Sequence, residues 1–221
     1  MKIIEKSTLD FLADLAKHND REWFAANRKR YESAKKDFEL FVQSVIEKLL
    51  PDNPILKGLE AKSCIFRINR DIRFSKDKSI YKTNFGAFIV RGGRRNGDKY
   101  PGYYIHLEPG GNSMIAGGSY MPPMPWLSNI REKIGDEGDK FLKIVRNSEF
   151  VKFFGELDGE KLKSAPKGFS NDHKYIEYLR MKSFVAVRMI TDREVTSGGY
   201  MDLVLKGFSL MKPLNDFLDT E

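Results

Sequence analysis

The chain has 221 residues, of which 41% are hydrophobic, 31% charged and 12% aromatic. That excludes a disordered or fibrous polypeptide and suits one globular domain, 1–221, that buries about 70% of its unfolded surface. No apolar run reaches the roughly 18 residues of a membrane span, no signal-peptide pattern opens the chain, and Cys64 is the single cysteine, so the expectation is a soluble cytoplasmic protein without disulfides or a membrane partner.

The formal net charge is +7, and it is not spread evenly. Between Arg67 and Lys99 lie ten cations and three acids, while the remainder carries 28 of each. The whole positive surplus thus sits in one span, which attracts phosphates or carboxylates better than diffuse charge does.

In chain order, the first fifty residues read as helix. Ser7 with Asp10 and Asn19 with Glu22 have the spacing of capping boxes, and Leu9, Leu12 and Ala16 share a face. "NDREWFAANRKRYESAKKDFELFVQSVIEKLL" then reads as helix to Leu50, with Phe38, Phe41, Val42, Val45, Ile46 and Leu49 as its apolar stripe. Trp23 and Phe24 read as core, and Pro51 and Pro54 end the helix.

From Ser63 the period shifts toward two. Cys64, Phe66 and Ile68 alternate with Ile65, Arg67 and Asn69, which predicts a strand entering the loop "FSKDKS". "NFGAFIV" (84–90), "YYIHLE" (103–108) and "SMIAGGSY" (113–120) read as further strands, with turns at Asn96-Gly97 and "PGGN" (109–112). Consecutive strands predict an antiparallel sheet. Gly117-Gly118 inside a strand predicts a bulge or a close backbone approach. A helix from Pro125 closed by Gly135, a second over about 139–146 and a tight turn at Asp158-Gly159 follow. Asn171 or Asp172 is placed to cap "HKYIEYLRM", "SFVAVRMI" (183–190) reads as a buried strand, and a last helix breaks near Pro213. Helices, then strands, then helices with a late strand indicate an α+β fold.

The chemistry concentrates in "RINRDIRFSKDKSIYKTNFG" (67–86). Arg67, Arg70, Arg73, Lys76, Lys78, Tyr81 and Lys82 are the candidate ligand-binding residues, because guanidiniums give bidentate anion recognition and lysines a mobile point charge. The competing reading is an internal salt-bridge network using Asp71 and Asp77. His106 and Glu108, beside Tyr104 on one strand face, are weak candidates for an acid–base pair. With three histidines and neither H-x-x-x-H nor C-x-x-C spacing, no metal site is predicted. Glycine spacing matches no nucleotide fingerprint, and no cofactor is predicted. His18 and His173 fall near helix starts, where local capping or surface placement accounts for them.

"RDIRFSKDKSIYKTNFGA" resembles the signature of a bacterial and fungal family, domain-of-unknown-function family 2461, whose usual pattern is R-D-x-R-F-S-K-D-K-x-P-Y-K-T. "HNDREWFAANRKRYE" (18–32), "APKGFSNDHKYIEYLRMKSF" (165–184), "YYIHLEPGG" and "GGSYMPP" are similar to other stretches of that family. The chain departs at Ile80, where the family has proline. The resemblance implies a fold and a working region, with "PKGF" (166–169) as a loop closing over the basic segment, and no particular reaction.

Three functions follow as expectations. The first is binding of a phosphorylated or other anionic small molecule at the basic strand–loop surface. The second is an enzyme on such a ligand, using His106 or Glu108. The third is nucleic-acid binding, favoured by "RGGRRNGDK" (91–99) and weakened by the lack of any helix-turn-helix, zinc-finger or RNA-recognition signature.

Overall fold

A computed structural model describes residues 3–71 and 79–220. The fold is α+β. Four strands, β1 (Phe85–Ile89), β2 (Gly102–Leu107), β3 (Ser113–Ser119) and the late β4 (Phe184–Ile190), form an antiparallel sheet in the order β1-β2-β3-β4. The chain divides into two compact units. One comprises Met1–Arg94, Tyr104–Ile115 and Met189–Leu205, and the other Arg95–Tyr103, Ala116–Arg188 and Lys206–Glu221.

In the first unit, α1 (Lys6–Lys17), α2 (Arg21–Ala26) and α3 (Arg28–Leu49) form the helical part. The predicted stripe on α3 is its buried face, from Phe38 to Leu49. Phe38 lies on Phe85 of β1 at 5.6 Å between ring centroids, and Phe41 on Tyr200 at 5.0 Å. Truncating a ring so placed to alanine costs about 3–5 kcal/mol. The helix predicted to run unbroken to Leu50 is instead two, separated at Asn27.

Both predicted capping boxes differ from the structure, for one reason: a better-placed acceptor takes the job. At the start of α1, buried Asp37 of α3 accepts from Glu5 N–H at 2.9 Å and from the Thr8 hydroxyl at 2.7 Å, and Ser7 lies within the helix. At α2 the cap is Asp20, which accepts from Trp23 N–H at 2.8 Å. Asn19 is thereby free for a longer-range role. Residues 61–64, half of them predicted as strand, form the single turn α4 (Ala61–Cys64), and Cys64 is fully buried.

The second unit is built on α5 (Met124–Val145), which joins the two helices predicted there across a kink at Glu137. Gly135 does not end it. A Cβ at Gly135 would stand 2.9 Å from the Phe169 ring, so this glycine serves packing rather than termination. Also in this unit are α6 (Ser148–Phe154) and α7 (Ile176–Leu179), which is a single turn with no side-chain cap from Asn171 or Asp172. Buried Arg131 donates to the carbonyls of Leu179 and Met181 at 2.8 and 3.0 Å and so terminates that turn. Asp158 is not in a tight turn; it bridges Val185 and so protects the outer edge of β4. That strand is not buried throughout: Phe184, Ala186 and Ile190 are buried, Val185, Val187 and Arg188 are half-exposed, and Met189 is exposed. Gly118 shows the predicted close approach, because a Cβ there would lie 2.0 Å from the Phe184 carbonyl oxygen.

The chain ends with α8 (Asp192–Val195) and α9 (Tyr200–Leu218). The predicted break at Pro213 does not occur. Pro213 and Ser209, whose carbonyl loses its partner, are both exposed to water, while Leu214, Phe217 and Leu218 hold the last turns by burial. Asp192 closes the β2–β3 turn in the first unit. Its carboxylate accepts from Gly110 and Gly111 N–H at 2.9 and 3.0 Å, and both glycines have left-handed φ, 84° and 76°. The β1–β2 connection turns at Gly92-Gly93, φ 73° and 89°, and again at the predicted Asn96-Gly97, where the Asn96 carbonyl accepts from Lys99 and Tyr100 N–H at 3.0 and 3.1 Å. No described helix is long and apolar enough to cross a membrane.

Candidate functional site

The site is assembled on a two-armed ribbon in the first unit. After α4 the chain extends and pairs antiparallel with the approach to β1. Phe66 N–H donates to Gly86 O at 2.9 Å, Lys82 N–H to Ile68 O at 2.8 Å, and Arg70 N–H to Ile80 O at 3.0 Å. Isolated bridges at Ile65–Ala87 and Asn69–Tyr81 complete the pairing. The amide of Asn19 fastens the second arm, with Nδ2 donating to Tyr81 O and Tyr81 N–H donating to Oδ1, both at 2.9 Å. The Tyr81 ring stacks on Phe24 with centroids 4.0 Å apart.

This register gathers cations around one aromatic ring. Lys82 Nζ stands 5.3 Å from the centre of Phe66, and the Arg94 guanidinium 5.9 Å from it. Such contacts are worth about 0.5–2 kcal/mol each, more as they lose water. Arg94 also donates to Ser63 O at 3.0 Å. Lys82 is half-buried, and its ammonium is held below the usual lysine range, first by burial and then by the charges of Arg67, Arg70 and Arg94. Among the described residues no carboxylate joins that set of influences. Burial and neighbouring cations both raise the energy of a charge, and unusual local electrostatics are a mark of working sites.

Beside the cluster, β2 carries a polar chain. Alternation puts Tyr104, His106 and Glu108 on one face. The Tyr104 hydroxyl and His106 Nδ1 are 3.1 Å apart, and His106 Nε2 and Glu108 Oε2 2.9 Å. Thr83 Oγ1 donates to the other carboxylate oxygen at 2.6 Å. With Glu108 ionised and the imidazole neutral, the ring proton belongs on Nε2 and Nδ1 accepts from Tyr104. The side chains of His106 and Glu108 are 11% and 26% exposed. Gly86 on β1 makes room for the chain's far end, because a Cβ there would lie 2.7 Å from the Tyr104 hydroxyl. Burial, with a smaller effect from the Glu108 charge, pushes the Tyr104 phenol up to about 12. Phe66 meets Tyr104 edge-on at 6.3 Å and so links the polar chain to the cations.

Of the predicted binding residues, Arg67, Arg70 and Lys82 come together. Arg73, Lys76 and Lys78 lie outside the described residues. Tyr81 is buried and turned instead toward an open cleft of about 540 Å³ that it lines with Phe24, Arg28, Tyr31, Ile68 and Asn69. His106 and Glu108 are hydrogen-bonded to each other, as their spacing allowed. Arg94, Phe66, Thr83 and Asn19 are not among the predicted site residues. The charge surplus already included Arg94, but only the pairing register places it against Phe66. His18 caps the end of α1 three residues before α2 begins, is exposed as expected, and stacks on Trp23 at 5.8 Å. Among the described residues no group of three or more His, Cys, Asp or Glu is placed to hold a metal ion.

A family model, described as conserved hypothetical protein (DUF2461), matches residues 7–217. The chain belongs to that family. The match takes in the whole DUF2461 signature segment, both arms of the ribbon and the β2 polar chain. No curated protein and no solved structure matches the chain.

Proposed function

We propose that this DUF2461 chain binds a small phosphorylated or carboxylated ligand at Lys82, Arg67, Arg70 and Arg94. One observation carries the reading: a half-buried lysine whose charged influences are three arginines and, among the described residues, no acid. Like charges drawn together raise the free energy of the empty protein, and an anion arriving between them lowers it. The arginines would give bidentate contacts, and the exposed Phe66 ring an apolar surface beside them.

A second reading, an enzyme acting on the same ligand, is favoured by the Tyr104–His106–Glu108–Thr83 chain, in which a histidine is oriented by a carboxylate next to the cations. The test is a thermal-shift panel of inorganic phosphate, phosphorylated sugars, small carboxylic acids and random-sequence duplex DNA. Stabilisation by a small anion that is lost in Arg94→Ala supports the site. Stabilisation by the duplex alone would replace this reading with nucleic-acid binding.

A further inference from the structure

Of the four clustered cations, three cannot lose a proton near neutral pH, because guanidinium stays charged. Lys82 can. Its amine stands on the Phe66 face, half-buried, with Arg67, Arg70 and Arg94 as its charged company. If anion binding were all that the cluster had to do, a fourth arginine would serve better, with a fixed charge and two-point contacts. A lysine in this position has a different capability: the Phe66 ring favours the ammonium, but burial and the neighbouring cations outweigh it and favour the neutral, nucleophilic form.

We propose that Lys82 forms an imine with a small aldehyde or ketone that also carries a carboxylate or phosphate. The inference rests on the anion-binding reading, in which the arginines hold the acidic group while the carbonyl meets Nζ. The neutral amine's lone pair attacks the carbonyl carbon, a C–N bond forms and the carbonyl π pair moves to oxygen. A proton passes from nitrogen to that oxygen, giving a carbinolamine. The hydroxyl, protonated by solvent, leaves as water while the nitrogen lone pair closes the C=N bond, and the remaining N–H proton returns to solvent to give the neutral imine. The balance is amine plus carbonyl to imine plus water, with no oxidant or reductant.

Reductive trapping tests it. The full chain is treated at neutral pH with glyoxylate, an aldehyde bearing a carboxylate, and sodium cyanoborohydride, whose hydride fixes the imine as a carboxymethyl-lysine. Peptide mass spectrometry compares the modification rate of Lys82 with that of exposed Lys29 on α3. The expected result is several-fold faster modification at Lys82, slowed by excess inorganic phosphate and absent from a Lys82→Arg variant whose melting curve shows it folded. Lys82 reacting no faster than Lys29 overturns the inference. In that case, phosphate stabilisation sensitive to Arg94→Ala would leave the anion-binding reading standing. Fast modification of Lys82 that phosphate neither slows nor competes with would instead sink the anion-binding reading and the anionic substrate class with it.

Discussion

The side-chain amide of Asn19 holds the peptide of Tyr81 by both its groups, donating to the carbonyl and accepting from the N–H at 2.9 Å each. It acts as one residue of a strand would, supplied by the α1–α2 connection 62 residues away. Lys82 follows immediately, so the position of its backbone depends on this clamp. Asn19→Ala leaves two backbone groups to water or to nothing and is expected to cost about 1–3 kcal/mol of stability by denaturant titration. The same variant should bind phosphate more weakly, since the arm carrying Lys82 loses its anchor.

Gly86 and Tyr104 form a second pair with a clear prediction. A methyl group at 86 meets the Tyr104 hydroxyl at 2.7 Å, while alanine is otherwise better than glycine in a strand. Gly86→Ala should therefore destabilise the wild-type chain and cost less in a Tyr104→Phe background, where only the ring carbons at 3.3 Å still crowd the methyl group. A double-mutant cycle is expected to give a coupling of roughly 1–2 kcal/mol, and purely additive effects would contradict the packing described.

Tyr104 also sets a pH dependence. Its phenol is raised from 10.0 to about 12 in the folded chain. A group whose folded pKa is raised contributes stability fully below its unfolded value and loses it as pH rises through the folded one. Stability should fall as pH rises between about 10 and about 12, and Tyr104→Phe should remove that part of the decline. Following the phenolate absorbance of wild type against the variant identifies the group directly.

For Lys82 the sign is opposite. Its folded pKa is lowered by burial and then by the arginines. Below that pKa the folded chain carries an unfavourable charge, and as pH rises from it toward the ordinary lysine value the unfolded chain holds the extra proton, so stability rises. Lys82→Met should accordingly raise the melting temperature at neutral pH, with the advantage shrinking in alkali. Added phosphate should stabilise the wild type more than the variant.

Much of the fold was legible because it rests on local periodicity. The α3 stripe from Phe38 to Leu49 and the β2 alternation of Tyr104, His106 and Glu108 needed no tertiary knowledge. Misreadings fell where a distant group took over a local role. Asp37 caps α1 in place of Ser7, and Asn19 is drawn to Tyr81 while Asp20 does the capping. Gly135 and Pro213 carry stop signals that packing overrides. The basic cluster was legible as charge density through Arg67, Arg70 and Lys82. Its organising residue, Phe66, was not, because a ring among cations gains meaning only when the register sets Lys82 and Arg94 against it.

The most direct measurement of the central claim is a calorimetric titration of the chain with inorganic phosphate at low salt, beside Arg94→Ala and Lys82→Ala variants shown to be folded. The account predicts saturable binding of one phosphate per chain, weakened about tenfold or more by either substitution, a loss of roughly 1.4 kcal/mol. No saturable binding, or binding that both substitutions leave unchanged, would contradict it.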